Sequence, residues 1–316
     1  MKPFSLLVKP ASADCNLRCE YCFYLDRCSL YPEAKKHRMP DDVLDRMISS
    51  FMATEQPQYI FGWQGGEPTL MGVDFFKKVT DLQTKHAGTA SKVVSNGLQT
   101  NGTLIDDEFA RHIAKYNFLV GVSMDGPPEI HNHYRKYIDG RTCHAEVMKG
   151  IEALRNNKAE FNILTLVSQS NVHKPKEVYR YLKENGFLYH QYIECVEFDD
   201  KGKLRPFAIS GQEWGEFLCG VFDEWIKEDT RKVSVRLFDS ILTMLVENVA
   251  NVCQMGRDCR QYLVVEYNGD IYPCDFFVYR DLKLGNVMTH SWEQMLGSKE
   301  YEAFGKKKSE WNTLCD

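Results

Sequence analysis

The chain has 316 residues, of which 43% are hydrophobic and 26% are charged, with a formal net charge of -5. It carries enough apolar sequence for one or two domains with a large core, but neither a basic stripe for nucleic acid nor an apolar run long enough to span a membrane. The N-terminus lacks the apolar region of a secretory signal. The 11 cysteines are therefore predicted to be metal ligands or reduced thiols in a cytoplasmic protein.

Short apolar runs alternate with helical patterns through the first two thirds of the chain. Strands are predicted at 5–8, 59–63, 92–95, 118–123, 161–167 and 189–196, with helices at 41–52, 74–85, 106–116, 145–156 and 175–185. Such alternation implies a parallel sheet with right-handed crossovers. Six strand–helix steps are too few for an eight-stranded barrel, so the predicted α/β fold is an open, partial barrel.

The pattern changes after about residue 200. Here the sequence predicts helices at 212–227, 237–249 and 292–304, and a β-hairpin with strands at 262–267 and 271–272 around Asn268-Gly269. The chain is accordingly predicted to contain a barrel at 1–200, linking helices at 201–250 and a small C-terminal region at 251–316.

Three thiols follow the first predicted strand: Cys15, Cys19 and Cys22, spaced C-x3-C-x2-C. Thiolates are soft ligands that suit iron–sulfur clusters and zinc. Since a four-iron cubane commonly takes one cysteine per iron, three cysteines leave one iron open to a small chelating molecule. A zinc site with Cys28 as fourth ligand and a set of unrelated buried thiols are the alternatives.

Polar turns follow the next strands: Gly65-Gly66-Glu67-Pro68, Thr100-Asn101-Gly102 and Ser123-Met124-Asp125-Gly126. The carboxyl ends of parallel strands share one edge, where ligands bind in such folds. We therefore expect these turns to meet the cysteine loop. Adjacent glycines let a backbone approach a ligand closely. Further along, Arg135 either pairs with a carboxylate through two hydrogen bonds or lies in solvent.

A second cysteine group, Cys253, Cys259 and Cys274, surrounds the predicted hairpin, and both zinc and a structural cluster fit it. The cysteines outside these groups that match no motif are interpreted as buried, inert thiols: Cys28, Cys143, Cys195 and Cys219.

These motifs resemble those of a known family. The cysteine triplet and Gly65-Gly66-Glu67-Pro68 resemble the signatures of radical S-adenosylmethionine (SAM) enzymes. The stretch 261–277, which contains Cys274-Asp275, resembles the C-terminal cluster domain (the SPASM type) of anaerobic sulfatase-maturating enzymes. With Ser123-Met124-Asp125-Gly126-Pro127 between them, the match covers nearly the whole chain. The resemblance implies a partial (β/α)6 radical SAM barrel followed by a small C-terminal iron–sulfur region with a β-hairpin and helices.

The resemblance also implies a reaction. A reduced cluster splits SAM, and the resulting 5′-deoxyadenosyl radical takes a β-hydrogen from a Cys or Ser in an unfolded sulfatase polypeptide with the motif Cys/Ser-x-Pro/Ala-x-Arg, which becomes formylglycine. The implied cofactors are a [4Fe-4S] cluster with an open iron, SAM, and one or two auxiliary [4Fe-4S] clusters. A flavodoxin- or ferredoxin-type protein would donate electrons. The alternatives are a radical SAM peptide maturase that makes a thioether or another cross-link, and a non-catalytic iron–sulfur or zinc protein.

The resemblance assigns residues to three roles. The implied cluster ligands are Cys15, Cys19 and Cys22, then Cys253, Cys259 and Cys274 for an auxiliary cluster, and Cys315 for a second one. The implied cofactor contacts are Tyr21, Gly65, Gly66, Glu67, Asn101, Ser123, Arg135 and Ile193. The implied catalytic residues are Asp275, as general base, with Tyr24 and Gln64 lining the target side chain.

Ordinary structural roles also fit several of these residues. They are a turn for Asn101, strand core for Ile193, core packing for Tyr24, a polar strand end for Gln64 and a solvated turn for Asp275. The chain departs from the family because only Cys315 follows Cys274. The auxiliary ligand set is therefore expected to be incomplete, or the sequence to be a fragment.

Overall fold

The structure, a computed structural model, describes residues 2–88 and 92–310, except for the side chains of Asp26 and Cys28. The strands in this part of the chain are β1 Ser5–Lys9, β2 Tyr59–Trp63, β3 Val94–Thr100, β4 Leu119–Ser123, β5 Phe161–Val167, β6 Tyr189–Glu194, β7 Ser234–Val235, β8 Tyr262–Glu266, β9 Asp270–Tyr272 and β10 Gly285–Asn286. The helices are α1 Asp41–Met52, α2 Val73–Ala87, α3 Asp107–Lys115, α4 Pro128–Tyr134, α5 His144–Asn156, α6 Pro175–Glu184, α7 Gly211–Glu228, α8 Arg236–Glu247, α9 Trp292–Leu296 and α10 Lys299–Lys306.

The strands form one sheet in the order β10-β9-β8-β1-β2-β3-β4-β5-β6-β7. Strands β1 to β6 are parallel and follow one another in chain order. This arrangement confirms the predicted partial barrel. The predicted hairpin is also confirmed, because β8 and β9 pair antiparallel with Val264 opposite Tyr272.

The C-terminal hairpin continues the barrel sheet. Strand β8 pairs in parallel with β1, and Lys9 lies opposite Glu266 in that register. The carboxyl ends of β1 and β8 therefore lie at the same edge of the sheet as the ends of β2 to β6. The three-part domain division stays a prediction, and the sheet itself includes strands from all three predicted parts.

Apolar side chains at regular spacing bury the helices against the sheet. In α1, Leu44, Met47 and Phe51 recur at helical spacing and are fully buried. In β2, the rings of Phe61 and Trp63 lie parallel with centroids 6.1 Å apart. Each such side chain contributes about 1.5–3 kcal/mol when it leaves water. This core supports the sheet edge at which the polar turns lie.

Strand β3 is longer than its predicted range of 92–95, because Asn96 does not act as a turn residue. Its buried amide exchanges hydrogen bonds of 2.9 Å with Gln83, and its oxygen also accepts one of 2.9 Å from the Trp63 indole. A satisfied Asn can remain in a central strand, so the strand continues to Thr100.

The predicted helix at 292–304 was wrong as a single element. It is divided into α9 and α10 at Gly297, because the Ser298 hydroxyl accepts a hydrogen bond from the Tyr301 N–H and begins a new helix. Helix α4 was not predicted, although Pro128 stands in its first turn, a common helix start.

The cysteines that match no motif differ in exposure. Cys143 and Cys195 are buried, as predicted, whereas Cys219 is exposed on α7 and the prediction for it was wrong. The apolar pattern of α7 leaves this position on the solvent side of the helix. The prediction for Cys28 falls on a side chain outside the described part of the structure.

Within the described ranges, the chain has no helix with both the length and the apolar character needed to cross a bilayer.

Candidate active site

The first three cysteines lie in the loop that follows β1. Within it, the Leu17 N–H donates to Cys15 Sγ at 3.3 Å and the Cys22 N–H donates to the Cys19 carbonyl at 3.1 Å. Two further N–H groups of the loop donate to carbonyl oxygens of segment 134–136 at 2.7 and 3.2 Å. The segment after α4 therefore holds the cysteine loop in place.

The Gly65-Gly66 turn packs directly on the backbone before Cys15. The Gly66 N–H donates to the Ser12 carbonyl at 2.7 Å. A Cβ on Gly66 would lie 2.0 Å from the Asp14 carbonyl oxygen, far inside contact distance. The close approach that the sequence assigned to a ligand is thus also made to the cysteine loop itself.

Gly66→Ala is expected to destabilise the fold by about 1–3 kcal/mol, the usual cost of forcing extra volume into a packed site. The displaced loop should also lower SAM cleavage. Anaerobic urea denaturation measures the first effect and 5′-deoxyadenosine release the second. Gly215→Ala is the matched control, because a Cβ there meets nothing within 4 Å. Equal stability of the two variants would contradict the prediction.

Glu67 joins the turn after β2 to the end of β3. Its buried carboxylate accepts hydrogen bonds from the Thr69 N–H at 2.9 Å, the Thr69 hydroxyl at 2.6 Å, the Thr100 hydroxyl at 2.8 Å and the Asn101 N–H at 2.7 Å. Burial raises the pKa of Glu67, and these donors lower it. All four donors belong to the protein itself. A direct contact between Glu67 and a cofactor stays a prediction.

Asn101 lies beside the first cysteine. Its Nδ2 is 3.7 Å from Cys15 Sγ and donates to the Asn16 side chain at 2.8 Å. Its Oδ1 accepts from the Thr103 N–H at 3.0 Å, which closes a turn. Asn101 therefore closes a turn and also places its side-chain amide beside Cys15.

A buried ion pair anchors the cysteine loop to the end of β4. The Tyr21 hydroxyl donates to Asp125, and Arg135 donates to the same carboxylate through Nε at 2.9 Å and Nη2 at 3.2 Å. The Arg135 guanidinium also lies 5.4 Å from the Tyr21 ring centroid. Burial raises the pKa of the Tyr21 hydroxyl, which keeps it a donor. The carboxylate partner predicted for Arg135 is thus Asp125 in this structure, and its contact with a cofactor stays a prediction.

Two other predicted cofactor contacts lie on the strands. Ser123 is buried as the last residue of β4. Ile193 is half-buried in β6, opposite Leu166 of β5. Neither position tests the predicted contact.

The three predicted catalytic residues surround Lys9. The Gln64 amide donates to Asp275 Oδ2 at 2.6 Å, and the Lys9 ammonium pairs with Asp275 Oδ1. Lys9 Nζ lies 3.8 Å from the Tyr24 ring centroid, and the Tyr24 hydroxyl donates to Glu266 at 2.5 Å. Residues from β1, the two loops after β1 and β2, and the C-terminal hairpin region therefore form one cluster.

One member of the second cysteine group is the sequence neighbour of a residue in this cluster. Cys274 immediately precedes Asp275, and its Sγ is 3.4 Å from the Tyr262 hydroxyl. Burial raises the pKa of Cys259, Lys308 lowers it, and the neighbouring thiols of Cys253 and Cys274 raise it further. Cys315 lies outside the described residues.

Known proteins share this organisation. The Radical SAM superfamily matches residues 10–182, and the SPASM iron–sulfur cluster-binding domain matches residues 253–316. The serine-type anaerobic sulfatase-maturating enzyme of Bacteroides thetaiotaomicron is 38% identical over 97% of this chain and 78% of its own length. The cysteine-type enzyme of Clostridium perfringens is 37% identical over 100% of this chain and 88% of its own. The chain belongs to the anaerobic sulfatase-maturating enzymes.

Solved structures agree with membership of the anaerobic sulfatase-maturating enzymes. Native anSMEcpe with bound AdoMet and Kp18Cys peptide superimposes with a TM-score of 0.92 at 36% identity, over 99% of this chain and 85% of that one. Streptococcus suis SuiB bound to S-adenosylmethionine has a TM-score of 0.69 at 15% identity over 95% of this chain and 67% of that one. The second likeness shows a shared fold.

The cofactors of an anaerobic sulfatase-maturating enzyme are SAM and iron–sulfur clusters, and the chemistry of the first loop fits a cluster. Burial raises the pKa of Cys19 to about 12, although Arg135 lowers it, so the thiolate needs a bound cation to neutralise it. Among residues 2–88 and 92–310, no three His, Cys, Asp or Glu side chains could hold a single metal ion together. The cysteines of a cubane each bind a different iron.

Sequence reasoning missed Lys9 and Glu266. Both are charged residues at the ends of apolar strands, β1 and β8, and both are almost fully buried. A charge that ends an otherwise apolar parallel strand lies at the ligand-binding edge of the sheet. That signal was available in the sequence, whereas their pairing across β1 and β8 was not.

Proposed function

We propose that this enzyme converts a Cys or Ser in an unfolded sulfatase polypeptide to formylglycine. The observation that carries the proposal, beside family membership, is the 2.6 Å hydrogen bond between Gln64 and Asp275. It links the turn that packs on the cysteine loop to the carboxylate proposed as the base. Both residues therefore belong to one site, although 211 positions separate them.

The proposed cluster ligands are Cys15, Cys19 and Cys22. When bound, the cluster and SAM supply a 5′-deoxyadenosyl radical that removes a hydrogen atom from the β-carbon of the target residue. Gly65, Gly66, Ser123 and Ile193, at the same edge of the sheet, are proposed contacts of SAM, with Asn101 beside Cys15 as a further one. The proposed roles of Tyr21, Glu67 and Arg135 are to hold this edge in position through the hydrogen bonds described above.

Asp275 is proposed to accept the proton of the target thiol or hydroxyl. Gln64 and Lys9 hold one carboxylate oxygen each, so the carboxylate keeps a fixed direction. Loss of a hydrogen atom, a proton and an electron turns a serine side chain into an aldehyde. A cysteine gives a thioaldehyde, which water hydrolyses to the aldehyde with release of hydrogen sulfide. Cys253, Cys259 and Cys274 are proposed to hold an auxiliary cluster, which supplies an acceptor for the electron.

The proposed partners are a sulfatase segment with the motif Cys/Ser-x-Pro/Ala-x-Arg and a flavodoxin- or ferredoxin-type electron donor. A sulfatase segment has support in the names of the relatives, which are serine-type and cysteine-type sulfatase-maturating enzymes. The target residue must reach Asp275, whose side chain is 13% exposed. A folded sulfatase would not present its target at so enclosed a carboxylate, so the proposed substrate is unfolded.

A peptide assay tests the proposal. The reconstituted enzyme, SAM and a reductant are expected to convert a Cys/Ser-x-Pro/Ala-x-Arg peptide to its carbonyl form, detected anaerobically by mass spectrometry. The matched control peptide carries Ala at the target position and should remain unchanged. A product that contains only a cross-link would instead support another peptide maturase. Absence of both 5′-deoxyadenosine and peptide product would refute the proposed catalysis.

A further inference from the structure

Lys9 is a buried lysine that has been assigned neither a ligand role nor a catalytic role. Its side chain is 1% exposed, and its ammonium pairs with Asp275 Oδ1. The same ammonium lies 3.8 Å from the Tyr24 ring centroid. An isolated ammonium is very costly to bury, so these contacts must compensate for the loss of water.

The surrounding backbone is shaped to admit Lys9. A Cβ on Gly65 would lie 3.2 Å from Lys9 Cβ and 3.3 Å from its Cγ, so the absence of a side chain at Gly65 makes room for the lysine stem. Glu266 lies opposite Lys9 in the parallel register of β1 and β8 and is fully buried. Burial raises the pKa of Glu266, and the Lys9 charge lowers it. The register thus places a second carboxyl group next to Lys9, on the strand that joins the hairpin to the barrel.

The recorded ion-pair partner of Lys9 is Asp275, whereas Glu266 lies opposite Lys9 in the strand register and accepts a hydrogen bond from the Tyr24 hydroxyl. The second oxygen of Asp275 accepts a hydrogen bond from the Gln64 amide, so an ion pair from β1 holds one carboxylate oxygen and a hydrogen bond from the turn after β2 holds the other. An ion pair of this kind orients the carboxylate as well as stabilising its negative charge.

We infer that Lys9 is a positioning residue that holds the Asp275 carboxylate in its working orientation. The inference rests on the proposed role of Asp275 as the base. Lys9 acts through Asp275 and touches no reacting atom. Its loss therefore slows aldehyde formation and leaves the cleavage of SAM intact.

The experiment compares variants of the reconstituted enzyme that differ in charge at this cluster. Lys9→Met leaves the buried Glu266 without the nearby positive charge and is expected to lower stability, so the double variant Lys9→Met/Glu266→Gln removes both charged groups together. The double variant should fold, release 5′-deoxyadenosine at the wild-type rate, and form aldehyde about 100-fold more slowly, with the loss in kcat and little change in peptide KM. Lys9→Arg keeps the charge and should recover part of the aldehyde rate. Lys201→Met, at an exposed lysine, is the control.

A double-mutant cycle separates positioning from a structural role. In an Asp275→Asn background, Lys9→Met is expected to cause no further loss of aldehyde formation, because the group through which it acts is already absent. An additive loss would overturn the inference, as would wild-type aldehyde yield from the stable Lys9→Met/Glu266→Gln variant. A parallel fall in 5′-deoxyadenosine would also overturn it, because Lys9 would then affect cofactor cleavage. If wild type cleaves SAM but makes no aldehyde, the proposed function fails and the cycle has no activity to partition.

Discussion

Cys15→Ala is expected to abolish cleavage of SAM. Three cysteines are proposed to bind the first cluster, and removing one leaves two thiolates for a cubane with four irons. Cys15 also lies beside Asn101, whose Nδ2 is 3.7 Å from its sulfur. The measurement is 5′-deoxyadenosine release by the anaerobically reconstituted enzyme, with iron content and the electron paramagnetic resonance of the reduced cluster recorded on the same sample.

Cys219→Ala provides the matched control for this substitution. Cys219 is an exposed cysteine on α7 and belongs to neither cysteine group, so its removal should leave SAM cleavage unchanged. The comparison removes one thiol in each protein and differs only in where that thiol lies. Turnover retained by Cys15→Ala would refute the assignment of Cys15 as a ligand.

Local pattern in the sequence predicted most of the barrel. The helix at 41–52 and the strands at 59–63 and 161–167 have their predicted bounds, because apolar spacing and turn residues mark both of their ends. Strand β3 differs from its predicted range because the Asn96 side chain forms hydrogen bonds with Gln83 and Trp63, which are distant in the chain. Turn propensity carries no information about such distant partners.

The pairing of β8 with β1 could not be predicted from the sequence for a similar reason. The hairpin could be predicted from Asn268-Gly269 and its flanking strands, since both signals are local. Its position beside β1 depends on a register that joins Leu6 to Leu263 and Val8 to Val265, more than 250 residues apart. That register brings Lys9 and Glu266 together, which is why the charged cluster was missed.

The cysteine motifs and the glycine turn indicate from the sequence which kind of site is present. The hydrogen bonds and ion pairs that join its parts can be known only from the folded structure. Arg135 illustrates the difference. Its ability to grip a carboxylate follows from its guanidinium. The fold supplies Asp125 as that carboxylate, ten positions away at the end of β4, together with the Tyr21 hydroxyl from the cysteine loop. The same three side chains thus connect the loop, β4 and the end of α4.

Asp275→Asn is expected to separate the two halves of the reaction. The proposed cluster ligands and SAM contacts are untouched, so 5′-deoxyadenosine should still form. Asparagine does not accept the target proton, and aldehyde formation should fall by about 100- to 10,000-fold, the range for loss of a positioned base. The measurement is the ratio of formylglycine to 5′-deoxyadenosine in one reaction, read by mass spectrometry, because this ratio is independent of how much enzyme carries an intact cluster.

The controls for Asp275→Asn follow from its contacts. Asp281→Asn changes an exposed aspartate in the next 3-10 helix, Arg280–Leu282, and should leave the product ratio at its wild-type value. The substituted asparagine side chain has the same shape as the aspartate and still offers an oxygen to the Gln64 amide. The fold should therefore persist, and a thermal melt of the variant checks that it does. An unchanged ratio in a folded Asp275→Asn enzyme would show that the proton leaves by another group.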